Sequence, residues 1–130
     1  MDAEPVLQAI VTADRVVTED NGKKVIVGTF NRFMAEKFPT MFPPWGVYVS
    51  FSNLKGEFNF SINLTSEETQ QVLSSMGGTV KSAEYSDVHE ITLMHAPVFH
   101  QPGKYHLSLY IEGKTIGSRI IRVEQRESTN

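Results

Sequence analysis

The sequence predicts an all-β fold, a mainly antiparallel β-sandwich of about seven strands. Three observations carry that prediction. Apolar and polar residues alternate with period two along most of the chain, turn signals separate the alternating runs, and nothing resembles the regular exchange of strands with long helices that builds a parallel sheet. The 130 residues, 40% hydrophobic and 21% charged, are enough for one domain spanning 1–130 with its own core, and lie far from the composition of a disordered chain.

In the first run Leu7, Ala9, Val11, Ala13 and Val17 share a face, with Gln8, Thr12 and Asp14 between them. Glu19-Asp20-Asn21-Gly22-Lys23 follows, and Asn-Gly is the pair that tolerates the two positive φ angles of a type I′ hairpin turn. The return arm, Lys24 to Phe30, is rich in β-branched residues, and Gly28 within it marks a bulge or a close backbone approach. A third strand follows from Val47, Val49 and Phe51 alternating with Tyr48, Ser50 and Ser52, closed by a Lys55-Gly56 turn. The cleanest alternation comes next, with Phe58, Phe60, Ile62 and Leu64 on one face and Glu57, Asn59, Ser61 and Asn63 on the other.

Thr65-Ser66-Glu67-Glu68 has capping-box spacing, Val72, Leu73 and Met76 fall at helical intervals, and Gly77-Gly78 reads as a stop. One short helix is expected near 66–76, with an edge strand and turn as the alternative. Val88 to Met94 reads as a strand, and the loop after it is broken by Pro97 and Pro102. Tyr105, Leu107, Leu109 and Ile111 then share one face, and Glu112-Gly113-Lys114 turns the chain into a last strand from Thr115 to Val123. Residues 124–130 read as a frayed polar tail. The expected buried set includes Phe58, Phe60, Ile62, Leu64, Leu107, Leu109 and Ile111, because a one-residue register error would expose them together.

Composition narrows function by exclusion. The net charge of −3, with Lys and Arg scattered, offers no footprint for gripping phosphates, so nucleic acid is not expected as a partner. No apolar run approaches the ~20 residues that span a bilayer, and Asp2 and Glu4 stand where a secretory signal carries Lys or Arg. The chain is read as cytoplasmic and not membrane-bound, which leaves the triplets Asn59-Phe60-Ser61 and Asn63-Leu64-Thr65 as chance matches to a glycosylation site.

No catalytic residue, metal ligand set or cofactor motif emerges. There is no cysteine, so no thiolate ligand or nucleophile is available. Gly113-Lys114-Thr115 lacks the glycine that a phosphate loop needs five residues earlier, where Ser108 stands. Ser74-Ser75-Met76-Gly77-Gly78 lacks the strand-to-helix setting of a serine nucleophile. His89, His95, His100 and His106 show neither spacing of a zinc helix, and Asp87 and Glu90 beside them read equally well as solvated edge residues. No cofactor is expected, and no metal is expected to be needed for folding.

Phe30 to Trp45 is the unusual segment, because Phe30, Phe33, Met34, Phe38, Met41, Phe42 and Trp45 crowd one connection between strands. Connections that long are either functional or plugs over the end of a core. In the first reading these aromatics fold back to close the sandwich. In the second, Phe38, Pro39, Met41, Phe42, Pro43, Pro44 and Trp45 supply an exposed apolar patch, stiffened by the proline pair, for a protein partner or a second copy of the chain. Open strand edges likewise point to self-association as a homodimer. Two other classes remain: a small enzyme whose site assembles from distant residues, and a carbohydrate-binding sandwich using Trp45, Tyr48 and Tyr110.

Pro102-Gly103-Lys104-Tyr105-His106-Leu107 resembles the start of an immunoglobulin-like strand F, where a tyrosine forms a corner and Leu107 takes the place of the second cysteine. With Thr12-Ala13-Asp14, Val27-Gly28-Thr29-Phe30 and Phe38-Pro39, the chain resembles an uncharacterised prokaryotic family of single-domain immunoglobulin-like proteins. The resemblance implies an immunoglobulin-like sandwich and no particular activity. No functional residue carries over from it.

Overall fold

The computed structural model describes residues 4–127. Among these residues there is no helix, hence none long and apolar enough to cross a membrane. The strands are β1 (Val6–Thr18), β2 (Lys24–Thr29), β3 (Arg32–Ala35), β4 (Thr40–Met41), β5 (Trp45–Ser52), β6 (Gly56–Ser66), β7 (Val72–Ser82), β8 (His89–His95), β9 (Val98–Phe99), β10 (Gly103–Ile111) and β11 (Lys114–Gln125).

They form a four-stranded sheet of order β2-β1-β5-β8, a five-stranded sheet of order β3-β11-β10-β6-β7, and a two-stranded ribbon of β4 and β9. Every pairing is antiparallel except that of β3 with β11. The two large sheets share one core. Val47, Val49 and Phe51 of β5 meet Ile62 and Leu64 of β6, Leu107 and Leu109 of β10, and Ile121 and Val123 of β11, all buried. Alternation on each strand puts these side chains on the inner face and leaves polar residues outside, as the period-two pattern requires.

The alternating runs are strands at the expected places, and five features differ from the sequence reading. The helix near 66–76 is absent. Ser66 Oγ accepts from the Thr69 amide at 3.2 Å and Ser66 O from the Gln70 amide at 2.9 Å, so the capping chemistry closes a single turn. Gln70 then takes a left-handed φ of 63°, which ends the turn, and residues 72–82 return as β7 beside β6. Gly77-Gly78 lies mid-strand rather than at a helix end. A Cβ on Gly78 would lie 3.1 Å from the Phe60 ring, which spreads over the glycine backbone.

At the first hairpin only Gly22 has positive φ, 85°, and the Gly22 amide donates to Glu19 O at 2.8 Å. The loop is therefore a type I turn followed by a left-handed glycine instead of type I′. The two positive angles occur at the other hairpin, at Glu112 (51°) and Gly113 (77°). Strands also outnumber the seven expected, because β3, β4 and β9 are too short to show a period and β7 is rich in serine and glycine. Phe58 and Phe60 are half-buried rather than buried, and Glu124 and Gln125 belong to β11 rather than to a tail. Residues 128–130 of that expected tail lie outside the described residues.

Candidate functional site

The connection from β2 to β5 is not a loop, since β3 and β4 lie inside it. Its rings gather around Phe33. Ring centroids lie 4.6 Å from Phe33 to Phe30, 4.2 Å to Phe42 with planes at 15°, 5.5 Å to Trp45 and 5.9 Å to Phe99. Phe99 meets Tyr105 edge-on at 4.9 Å. Contacts of this kind add ~0.5–1.5 kcal/mol per pair beyond the area they bury, so the cluster is a cohesive plug over one end of the sandwich.

The β4–β9 ribbon sits on this plug and has two faces. Thr40 is opposite Phe99 and Met41 is opposite Val98. Phe99 is fully buried, whereas Met41 is 62% and Val98 42% exposed. One face is thus anchored in the aromatic cluster, and the other presents a cross-strand Met–Val pair to solvent. Pro39, Pro43 and Pro44 flank it, all exposed. Phe38 and Phe42 are half-buried and packed against the core, and Trp45 is 2% exposed. The segment therefore divides, with Phe38, Phe42 and Trp45 turned inward and Met41 and the three prolines outward. Val98 was missed by the sequence reading. Its only sign is that Val98-Phe99 matches Met41-Phe42 in pairing an aliphatic residue with a phenylalanine, a two-residue pattern too short to distinguish from chance.

His95 lies behind the plug, its ring 5.3 Å from that of Trp45. Its Nδ1 is 3.0 Å from Ser74 Oγ, a contact that ties the edge strands β8 and β7 together across the two sheets. Burial lowers its pKa and holds the ring neutral. A serine hydroxyl on a neutral imidazole is the pairing a nucleophile and base would need. However, His95 Nε2, like Trp45 Nε1, is buried without a hydrogen-bond partner among the described residues, so no carboxylate orients the ring.

The other candidates fall apart spatially. Tyr48, on the outer face of the four-stranded sheet, donates to Glu90, and its pKa is raised by desolvation and then by that bond. Tyr110 lies on the outer face of the five-stranded sheet and Trp45 is inside, so the three do not make a row. His106 Nε2 approaches Glu67 Oε1 at 2.9 Å, a bond that lowers the Glu67 pKa. Among the described residues no three of His, Asp and Glu converge as a metal would require. At the opposite end of the sandwich an open cleft of about 480 Å³ is lined by Leu54, Lys55, Phe58, Tyr85, Ile116 and neighbouring residues.

These features define a class, an all-β protein of two packed sheets with an apolar ribbon mounted on one end. The chain belongs to the DUF6941 family, a family of unknown function, whose pattern covers residues 8–124. A search of curated proteins returns no match. Among solved structures the chain is similar to the Pseudomonas fluorescens alkylpurine DNA glycosylase AlkC bound to DNA containing an abasic site analog. The TM-score is 0.57 at 7% identity, over 94% of this chain and 31% of that one. It is also similar to the β-glucosidase of Listeria innocua in complex with isofagomine, with a TM-score of 0.48 at 7% identity, over 97% of this chain and 17% of that one. The chain thus spans under a third of either protein, and at such identity the glycosylase likeness speaks to fold alone.

Proposed function

We propose that the chain is a non-catalytic binding module of immunoglobulin-like type, which docks a protein partner through the Met41–Val98 face of its ribbon. Strand order supports the fold assignment. β5 and β8 are neighbours in one sheet while β6, β10 and β11 are neighbours in the other, as strands B and E stand against C, F and G in such domains. Tyr105 supports it too, because its hydroxyl donates to Gln101 O at 2.5 Å, four residues upstream at the start of β10.

The observation that carries the binding reading is the two-faced ribbon. Folding packs the aromatics of this segment against the core, Trp45 buried and the four phenylalanines half-buried, yet it leaves Met41 and Val98 side by side in solvent on an element fixed from beneath by Phe99. A contact residue held on a rigid support loses little freedom on docking. Methionine adapts to the shape it meets, and flanking prolines keep the backbone from rearranging.

The test is photo-crosslinking in cells from a diazirine amino acid at position 41 or 98, with position 55, at the far end of the molecule, as control. A discrete protein adduct is expected from 41 and 98 and not from 55. The partner, once identified, should bind the purified chain and lose that binding with Val98→Asp. Adducts that are equal at all three positions, or absent from all, overturn the reading.

A further inference from the structure

We propose that His95 is a proton-operated latch for the ribbon: neutral, it holds the aromatic plug beneath β4 and β9, and charged, it releases that seat while the rest of the sandwich stays folded. The inference adds regulation to the docking surface proposed above and rests on that reading for its purpose, although release of the ribbon is a property of the chain alone.

His95 stands where three supports of the ribbon meet. It is the register partner of Trp45 across β5 and β8, and its ring lies 5.3 Å from that of Trp45. Trp45 in turn lies 5.5 Å from Phe33, which stacks on Phe42 at 4.2 Å and reaches Phe99 at 5.9 Å. The rings thus run without a break from His95 to Phe99, the residue that anchors the ribbon from beneath. The backbone makes a second link. Only Ala96 and Pro97 separate His95 from Val98, and the fixed φ of a proline leaves that joint little slack. The third is the contact of Nδ1 with Ser74 Oγ at 3.0 Å, which holds β8 of one sheet to β7 of the other.

A second proton on this ring finds no partner. A neutral imidazole can place its single hydrogen on Nδ1, toward Ser74 Oγ, and leave Nε2 bare. In the imidazolium both nitrogens are donors. Because Nε2 is buried without a hydrogen-bond partner among the described residues, a proton taken from solvent leaves a charged, unbonded N–H inside the protein. No charge on the elements around it offsets this. On β8 itself, His89 and Glu90 lie at the far end, opposite Phe51 and Ser50. On β5, Tyr48 is bonded to Glu90 on the outer face, and on β7 the only charged residue, Lys81, is opposite Glu57 toward the other end of the strand. After β9, His100 is exposed and the Tyr105 hydroxyl donates to Gln101 O. In the turn before β7, Glu67 is held by His106 at 2.9 Å and Glu68 accepts from Gln101 at 3.2 Å. Burial is thus what lowers the basicity of the ring.

The molecule yields to that charge where it is thinnest. β4 and β9 are joined only through Thr40–Phe99 and Met41–Val98, whereas β5 is matched to β8 all the way from Trp45 to Phe51. Short, sparsely paired elements open locally before a core does. Opening there lets water reach Nε2 and the indole, and it removes the support that keeps Met41 and Val98 in place for a partner.

Trp45 is the only tryptophan, so its emission reports on the seat directly. The experiment lowers the pH of the purified full chain and follows the Trp45 emission maximum, the methyl signals of Met41 and Val98 in NMR, and far-ultraviolet circular dichroism for the sandwich. The imidazole signals of His95 give its protonation. As His95 charges, at a pH below ~6.5, the emission should move to longer wavelength and both methyl signals should shift with the same midpoint, while the dichroism holds. His95→Gln keeps a side chain that can bond Ser74, and His95→Phe keeps a ring against Trp45. Either variant, once its dichroism shows it folded, should lose the shared transition, and His100→Gln should retain it. If neither folds, the coincidence of midpoints in the native chain still decides. A transition that persists in a folded His95 variant overturns the proposal. So does a His95 ring that titrates while Met41 and Val98 stay unchanged, or a ribbon that yields only together with the whole fold. None of these readings needs a partner: the docking reading fails by missing adducts from positions 41 and 98 at neutral pH, the latch by a ribbon that does not move.

Discussion

Tyr105 does two jobs from one position. Its ring closes the aromatic plug against Phe99 while its hydroxyl fastens the entry to β10 by donating to Gln101 O. Burial raises the pKa of that hydroxyl, so it stays protonated and able to donate at neutral pH. Tyr105→Phe keeps the ring and removes the bond, leaving a carbonyl short of its partner. The expected loss is ~1–2 kcal/mol, read as a lower denaturant midpoint with unchanged slope. His95 makes the molecule sensitive to acid. Desolvation lowers its folded pKa below the unfolded value of ~6.5, so the unfolded chain binds the proton more readily. The contribution of the neutral ring is fully present above that value and is lost as pH falls from it toward the folded pKa. Melting temperature should fall as the pH drops below about 6.5, and His95→Phe should flatten that part of the profile. An identical slope in the variant would show that other groups set it.

Among the elements, legibility followed length and burial. β5, β6, β10 and β11 could be read because each turns one face to the core over many residues, and the core imposes period two on them. β7 could not, since much of it is exposed on both faces and its sequence, Val-Leu-Ser-Ser-Met-Gly-Gly-Thr-Val, records a packing requirement of β6 rather than of itself. A Cβ at Gly77 would come within 2.9 Å of Phe60 O and one at Gly78 within 3.1 Å of its ring, a demand that no local pattern announces. Gly28 was legible, by contrast, because a lone glycine among β-branched residues has few explanations. Its φ is 72° and a Cβ there would collide with the Asp14 carboxylate across the hairpin. The Phe30 to Trp45 segment was conspicuous by composition, but its division into an inner and an outer set was not visible. That division rests on β4 pairing with β9, more than fifty residues later in the chain, over two residues each.

At the scale of the whole molecule, most of the sheet is built from pairings distant in sequence. Ala13 is opposite Gly46, Leu64 opposite Leu107, and Arg32 opposite Arg122. Loop closure must be paid for before such contacts give any return, so folding in the range of milliseconds to seconds is expected. The order of events follows from the same topology. β6, β10 and β11 form a run of antiparallel neighbours around buried Leu64, Leu107 and Ile121, whereas β3 adds to β11 in parallel as a short outer strand. The plug that β3 carries can consolidate only once β11, β5 and β9 are in place, because Phe33 touches Trp45 and Phe99 as well as Phe42. Phe33→Ala should therefore cost ~3 kcal/mol and act chiefly on unfolding. In folding and unfolding rates measured against denaturant, the unfolding arm should rise by roughly two orders of magnitude while the folding arm moves little. An equal loss on the folding arm would mean that the aromatic plug forms with the core and not after it.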